Sequence, residues 1–433
     1  MSIVGYYLDL ALRSLRRNAV LAALTVVAVA VGIGASMTVF TLFRALSNDP
    51  IPEKSSQLFT LLIDNWGPRA AIPLDLRLAV SYADATALLQ ARRGLRQSES
   101  YAINVTVTPP DPAASPISAS GHAVSADFFQ MFDAPFRSGR PWTGTEDTSG
   151  APVAVLSAQL ADRLFPGQNA VGREVIFNEQ SWRVIGVLRP WDPQPHFYDL
   201  IFANDDVFVP FESALAHNYN TLMAACNTPP PGPSAQAKKA SDCLWVNFWV
   251  ELPTAASVRS YSQFLENYTA EQRRLGHSHG PPPAYYLYDV RGWLTRQHVI
   301  PDEVRLATFV AFGFLAVCLL NAISLLLAKF TARVGSLSVH RALGASRLDV
   351  FAQCLLETAL VGAAGGLLGL AAMLFGLKIE RLMLGETLAP LARLDSGMVA
   401  ITLCVAIAST IACGAYPSWR ASRVPPALHL KAQ

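Results

Sequence analysis

The chain is 433 residues long, 52% hydrophobic and only 15% charged, with a formal net charge of +2. Soluble domains carry about 25% charged residues, so this balance excludes an ordinary soluble enzyme and a disordered chain, and the small net charge does not suit a nucleic-acid binder. Twenty-nine prolines argue against an all-helical membrane bundle, since proline breaks helices and ladders, and point to membrane segments joined to a sizeable strand- and loop-rich part.

Residues 18–43 are free of charge for 26 positions. A helix rising about 1.5 Å per residue crosses a ~30 Å hydrocarbon core in about 20 residues, so this segment spans. The apolar region of a cleaved signal peptide runs about 7–15 residues, and Asn18-Ala19 does not continue the twin-arginine start that Arg16-Arg17 suggests. A retained helix is therefore expected.

The next 250 or so residues are long enough to bury a core of their own. Ser81 and Asp84 read as a capping box that opens a helix through about Gln90. Val153-Ala154-Val155-Leu156 predicts a buried strand, followed by a helix over 158–165 and a stop at Pro166-Gly167. Residues 173–177, Asn178-Glu179 and 180–188 predict strand, turn and strand. Across 245–252, alternation puts Val246, Phe248, Val250 and Leu252 on one face and Trp245, Asn247, Trp249 and Glu251 on the other. Val258, Tyr261, Phe264, Leu265, Tyr268 and Leu275 then keep helical spacing up to Gly276. Strands alternating with helices make this an α/β domain.

Three more apolar stretches follow: 306–328 without charge, 350–377 with Glu357 alone, and 396–419 without charge. The fold class is thus a membrane protein of four transmembrane α-helices, one before and three after a large α/β extracytoplasmic domain. The expected segments are an amphipathic N-terminal helix at 1–17, spans at 18–46, 305–330, 350–377 and 396–419, and an outer domain at 47–304. A cytoplasmic helical loop is expected at 331–349, a short outer loop at 378–395 and a tail at 420–433. Ten basic residues (Arg13, Arg16, Arg17, Lys329, Arg333, Arg341, Arg347, Arg420, Arg423 and Lys431) flank the spans on one side, with only Asp9 and Asp349 against them. Basic residues mark the cytoplasmic side, so both termini and the 331–349 loop are expected inside.

Cys318, Cys354, Cys404 and Cys413 fall in the spans, where small packing residues are the expected role. Cys226 and Cys243 lie outside and flank Asn227-Thr228-Pro229-Pro230-Pro231-Gly232-Pro233. A disulfide closing that insert would stabilise by ~3 kcal/mol; two buried free thiols are the alternative. No Gly-x-x-x-x-Gly-Lys-Ser/Thr, His-Glu-x-x-His, Gly-x-Ser-x-Gly or Cys-x-x-Cys occurs, so no catalytic, cofactor or metal site is expected in the chain itself. His277-Ser278-His279 sits in a Gly/Pro loop without a nearby acidic or cysteine ligand and reads as a solvated loop. Glu357 would be a proton or substrate site on one reading; its place near the helix start favours snorkelling or an inter-helix hydrogen bond.

Between the second and third spans, Val334, Leu337, Ala342 and Leu343 fall broadly on one face of a short helix. Gly344-Ala345 then turns the chain, and Ser346 with Asp349 makes a capping box for the next span. Here Val339-His340-Arg341-Ala342-Leu343-Gly344-Ala345-Ser346-Arg347 resembles the coupling-helix signature of MacB/FtsX-like ABC transporter permeases, the type VII transporters. The resemblance continues through Gly362-Ala363-Ala364-Gly365-Gly366-Leu367-Leu368-Gly369 and Tyr416-Pro417-Ser418-Trp419-Arg420. In the outer domain it takes in Ser125-Ala126-Asp127-Phe128-Phe129, Gly139-Arg140, Leu164-Phe165-Pro166-Gly167 and Val184-Ile185-Gly186-Val187.

The resemblance implies a permease dimer served by separate ABC ATPase subunits that bind ATP and Mg. A periplasmic adaptor and an outer-membrane duct are further possible partners. The complex would sit in the bacterial inner membrane and relay ATP-driven motion of the coupling helix to the outer domain, a mechanism called mechanotransmission, to export or extract a peptide, antibiotic or lipoprotein. A non-transporting regulator of cell-wall hydrolases, or an antimicrobial-peptide sensor, is the competing function; a binding scaffold that uses no ATP is a third. Val334, Ser336, Leu337, His340, Arg341, Leu343, Gly344 and Ala345 are the expected ATPase-coupling residues, with Leu337 and Leu343 as apolar anchors and Arg341 facing an acidic partner. Where the family commonly has Glu-Ile-Gly, this chain has Ser336, Leu337 and Ser338. Drift explains that, or a heterodimer whose other permease keeps the acid. Gly362 with Gly366 and Gly365 with Gly369 are each one helical turn apart and allow close helix approach, either between two permeases or onto the fourth helix.

Overall fold

The computed structural model describes residues 19–111, 113–202, 205–229, 232, 234–342, 344–388 and 396–423. The N-terminal helix expected at 1–17 and Leu343 lie outside the described residues. Two units emerge, one from residues 1–47 and 300–433, the other from 48–299.

In the membrane unit, α1 (Ala19–Ser47) is joined by three later long helices. In chain order the helices of the outer unit are α2 (Tyr82–Ala91), α3 (Phe128–Met131), α4 (Gly144–Thr148), α5 (Ala158–Leu164), α6 (Phe211–Ala216), α7 (Ala235–Lys239), α8 (Ala255–Arg274) and α9 (Val290–Arg296). The membrane unit resumes with α10 (Asp302–Thr331), the short α11 (Val334–Ala342), α12 (Arg347–Leu388) and α13 (Ser396–Ser422). Four of these, α1, α10, α12 and α13, are long and apolar enough to cross a membrane. Each is apolar on all sides, as lipid requires. Val29, Ile33 and Met37 of α1 pack with Leu315, Ala322, Met373 and Ala406, while Phe309, Val317, Leu367 and Phe375 face outward.

The third span differs from expectation at its far end. A loop is predicted from residue 378, yet α12 continues to Leu388. Lys378, Glu380 and Arg381 mark where the apolar slab ends, and charge does not stop a helix that has no proline.

The outer unit is built on one mixed sheet of β1 (Leu58–Ile63), β2 (Val80–Ser81), β3 (Arg96–Thr108), β4 (Ile117–Val124), β5 (Phe136–Gly139), β6 (Val153–Leu156), β7 (Glu174–Phe177), β8 (Gln180–Leu188), β9 (Val207–Pro210), β10 (Leu244–Glu251) and β11 (Tyr285–Asp289). Its order is β11-β1-β10-β3-β4-β9-β6-β8-β5, with β2 on β10 and β7 against both β3 and β8. The β4–β9 and β6–β8 pairs are parallel and the others antiparallel. Alternate residues feed two cores. Leu61, Ile63, Ala154, Leu156, Val246 and Phe248 belong to one, and Leu62, Val153, Val155 and Trp249 to the other, the period-2 arrangement of a sheet buried on both faces.

Trp245 departs from the expected alternation and joins Val246 in the first core. The cause is a register shift between Leu244 and Val246, where β10 meets β2. Local signals place other elements as the sequence reads them. Ser81 Oγ accepts the Asp84 N–H at 3.1 Å at the start of α2, and Asn178 and Glu179 both take positive φ, 47° and 68°, in the two-residue hairpin between β7 and β8.

Candidate coupling site

Val334, Ser336, Leu337, His340 and Arg341 all fall on α11, and Gly344 and Ala345 in the turn after it. Gly344 has a φ of +105°, a conformation that favours glycine, and its N–H donates to the Arg341 carbonyl at 3.2 Å. The chain then enters α12 through a reciprocal cap. Ser346 N–H donates to Asp349 Oδ2 at 2.8 Å, and Asp349 N–H to Ser346 Oγ at 3.2 Å. Three residues separate the end of α11 from the cap position of α12.

Within the chain, Arg341 Nη1 donates to the Ser422 carbonyl at 3.4 Å, at the C-terminal end of α13. The negative end of a helix dipole and its unfilled carbonyls attract a guanidinium. This bond ties α11 to the last helix.

One cluster escaped the sequence. Lys329 reads there only as a cytoplasmic flanking charge, yet it is 1% exposed and its Nζ is bonded to Glu357 Oε1. Arg333 Nη1 lies 3.3 Å from Glu357 Oε2. Glu357 therefore makes an inter-helix ion pair rather than snorkelling, and it links α12 to the end of α10 next to α11. The available signal was two bases, Lys329 and Arg333, close together at the end of the second span, and a single acid, Glu357, inside the third.

The four glycines divide between two neighbours. A Cβ on Gly366 would come within 2.7 Å of Ala406 Cβ, and Gly362 abuts Thr410, both on α13. On the adjoining face, a Cβ on Gly365 would meet Val29 at 2.8 Å and one on Gly369 would meet Ile33 at 3.1 Å, both on α1. The α13 contact is one of the two expected arrangements; the α1 contact was not foreseen.

In the outer unit Cys226 and Cys243 are joined in a disulfide. At its base Ala225 and Leu244 exchange backbone hydrogen bonds of 2.9 and 2.7 Å. His277 and His279 are exposed on their loop. A second unforeseen cluster ties β4 to the 196–205 segment. His122 Nε2 is 3.1 Å from Asp199 Oδ2 and its Nδ1 is 2.9 Å from Asp205 Oδ1, while His196 Nε2 is 2.7 Å from Asp205 Oδ2. Burial alone would lower the His122 pKa, but bonds to Asp199 and Asp205 outweigh it and raise it to about 9. Asp205 is likewise penalised by burial, yet His196 and His122 hold it well below the usual carboxylate range.

Four apolar helices, a short helix between the second and third of them in the membrane unit, and a large mixed-sheet domain inserted after the first define a multi-pass membrane subunit with a folded domain outside the spans. Residues 22–266 match the MacB-like periplasmic core domain and residues 308–426 the FtsX-like permease C-terminal domain. The chain belongs to the MacB/FtsX-like family of ABC transporter permeases, and this membership with its four apolar helices fits the bacterial inner membrane.

Among its relatives is the macrolide export ATP-binding/permease protein MacB of Azoarcus sp. (strain BH72), 22% identical over 98% of this chain and 59% of that protein. The protein of the same name from Rhodospirillum rubrum is 24% identical over 99% of this chain and 60% of that protein. The chain thus spans about six-tenths of the length of these relatives. The crystal structure of the periplasmic region of MacB from Actinobacillus actinomycetemcomitans aligns with 57% of this chain and 94% of that one, at 14% identity and a TM-score of 0.37.

Proposed function

We propose that this chain is a mechanotransmitting permease, moved by separate ABC ATPase subunits that bind ATP and Mg on its cytoplasmic side, and that it exports or extracts a peptide, antibiotic or lipoprotein. In this reading both termini and α11 are cytoplasmic, the outer domain is periplasmic, and a second permease, in a heterodimer, completes the complex. The observation that supports it is the anchoring of α11. Its Arg341 is tied to the end of α13, and the Lys329–Glu357–Arg333 cluster locks α10 to α12 beside it. A push on α11 therefore reaches three spanning helices through polar bonds rather than through a slack loop.

The test is Leu343→Asp in the full chain coexpressed with its ATPase. Truncating or charging a central apolar anchor costs ~2 kcal/mol or more, so the ATPase should be lost on copurification, or remain bound with its turnover no longer stimulated by the permease. Ser336→Glu should be tolerated or tighten binding. Unchanged complex formation and turnover in Leu343→Asp would overturn the coupling role. Deletion that leaves efflux and lipoprotein sorting intact but produces chained cells would favour hydrolase control instead.

A further inference from the structure

The outer unit contains an open cleft of about 1000 Å³ between α2, the start of β3, the 125–127 turn, α4 and Glu212 of α6. Its lining carries four acids, Glu99, Asp127, Asp147 and Glu212. Three of them have partners. Asp127 Oδ2 accepts the Gln97 N–H at 3.2 Å, Asp147 Oδ2 accepts the Ala126 N–H at 2.8 Å, and Glu212 Oε1 accepts the Tyr82 hydroxyl at 3.1 Å.

Glu99 is different. Its residue is 4% exposed, it lines the cleft, and its buried Oε2 has no hydrogen-bond partner. Its backbone is fixed on both sides, the N–H donating to Ser125 Oγ at 3.1 Å and the carbonyl accepting the Ser125 N–H at 3.1 Å. The side chain therefore has no freedom to retreat to solvent with its strand. A buried carboxyl without a partner is costly, and buried polar groups are almost always satisfied in a finished structure.

Among the described residues no cation pairs with Glu99, although two arginines line the cleft; Arg92 is exposed there and makes no ion pair with it. Arg96 on the rim is engaged by Glu251 at 2.8 Å. Lys239 is held at Glu212 Oε2, 3.4 Å away, and over the Tyr82 ring at 4.7 Å. Nor does the geometry suit a metal, because no group of three His, Cys, Asp or Glu among the described residues is placed to hold one. Beside the acids lies an apolar edge, Leu89 and the exposed Leu95. The volume is at the top of the range for small-ligand sites, about 300–1,000 Å³.

We propose that this cleft is a binding site for an organic cation carried on an apolar body, with Glu99 as its counter-ion, Asp147 and Glu212 completing the acidic wall, and Leu95 covering the apolar part. The electrostatics agree. Burial first, then the neighbouring Glu212 and Asp147, push the Glu99 carboxyl up to about 8, and burial with Glu212 pushes Asp147 up to about 7. Near neutral pH the free Glu99 carboxyl is therefore largely protonated, and an ammonium seated beside it would favour the ionised form. The site deepens the proposed function by naming a cargo chemistry, and it rests on that reading only in treating the bound cation as cargo.

The test is calorimetry on the full chain in lipid nanodiscs, without ATPase or ATP, so that its outcome is separate from that of coupling. The probe is the tripeptide Leu-Lys-Leu blocked at both ends, compared with the same peptide acetylated on the lysine Nε. The cationic peptide should bind at least tenfold more tightly than the neutral one. Glu99→Gln, which keeps the shape and removes the charge, should abolish that difference, and Leu95→Ser should weaken both peptides alike. Asp133→Asn, outside the cleft, should change nothing. Equal affinity for the two peptides, or an undiminished preference in Glu99→Gln, would overturn the site. Calcium binding lost in Glu99→Gln would overturn the organic-cation assignment.

Discussion

Removing the charge of Glu357 should damage the membrane unit far more than removing that of Lys329. The carboxylate is the one acid between two cations, with Lys329 and Glu357 each about 1% exposed and Arg333 3.3 Å from Oε2. Glu357→Gln leaves a buried ammonium without its counter-ion, a change that costs ~3–5 kcal/mol. Lys329→Met leaves the carboxylate with Arg333, whose Coulomb attraction at 3.3 Å and an effective dielectric of about 20 is about 5 kcal/mol before desolvation. It should therefore cost only ~1–2 kcal/mol, about the net worth of a hydrogen bond to a charged group. In the double variant Lys329→Met/Glu357→Leu no buried ammonium remains, and Arg333, already 20% exposed, can extend its head toward water, so the loss should be smaller than in Glu357→Gln alone. The assay is thermal unfolding in detergent followed by a thiol-reactive dye, since Cys354 is buried in the same helix turn as Glu357. At about 2–4 °C per kcal/mol, Glu357→Gln should lower the midpoint by roughly 10 °C and Lys329→Met by roughly half that or less. Equal losses from the two single variants, or a double variant showing their sum, would refute the reasoning, because uncoupled sites add.

Three further outcomes are expected. Cys226→Ser and Cys243→Ser should each destabilise the outer unit by ~2–4 kcal/mol in denaturant unfolding, and the double variant by no more than either. His122, raised from 6.5 to about 9, contributes stability that is complete below about pH 6.5 and lost as pH rises through 9. That loss is on the order of 3 kcal/mol, and His122→Asn should flatten the profile of stability between pH 7 and 9. Cysteines at Gly365 and Val29 should crosslink within one chain, as should a pair at Gly366 and Ala406; crosslinks only between two chains would contradict the packing seen here.

What the residues disclose in advance is whatever is local. Four spans are legible because lipid tolerates no stray charge, and the helix starts at Ser81 and Ser346 because a cap is written within four residues of sequence. The Asn178-Glu179 hairpin is legible for the same reason. Non-local pairing is not. β1 lies between β10 and β11, strands about 190 and about 225 residues further along the chain, and nothing in residues 58–63 names those partners. The same limit hides Trp245, whose face depends on a shift in how β10 meets β2.

Charge is the second limit, because one residue type serves opposite ends. Lys329 and Arg347 look alike in a count of flanking bases, yet Lys329 is buried against Glu357 and Arg347 is exposed. Glu99 lies in a strand whose pattern gives no hint that its carboxyl stays unmatched, and only the surroundings reveal it. Both sites consist of a buried ionisable group whose state depends on what faces it. In the membrane unit the facing group is already present, and the result is a rigid joint beside α11. Across the Glu99 cleft no described side chain pairs with the carboxyl, which is the condition a binding site must meet before its ligand arrives. A chain that closes its internal ion pairs where force must pass, and leaves one open where a guest can enter, divides its buried charges by task.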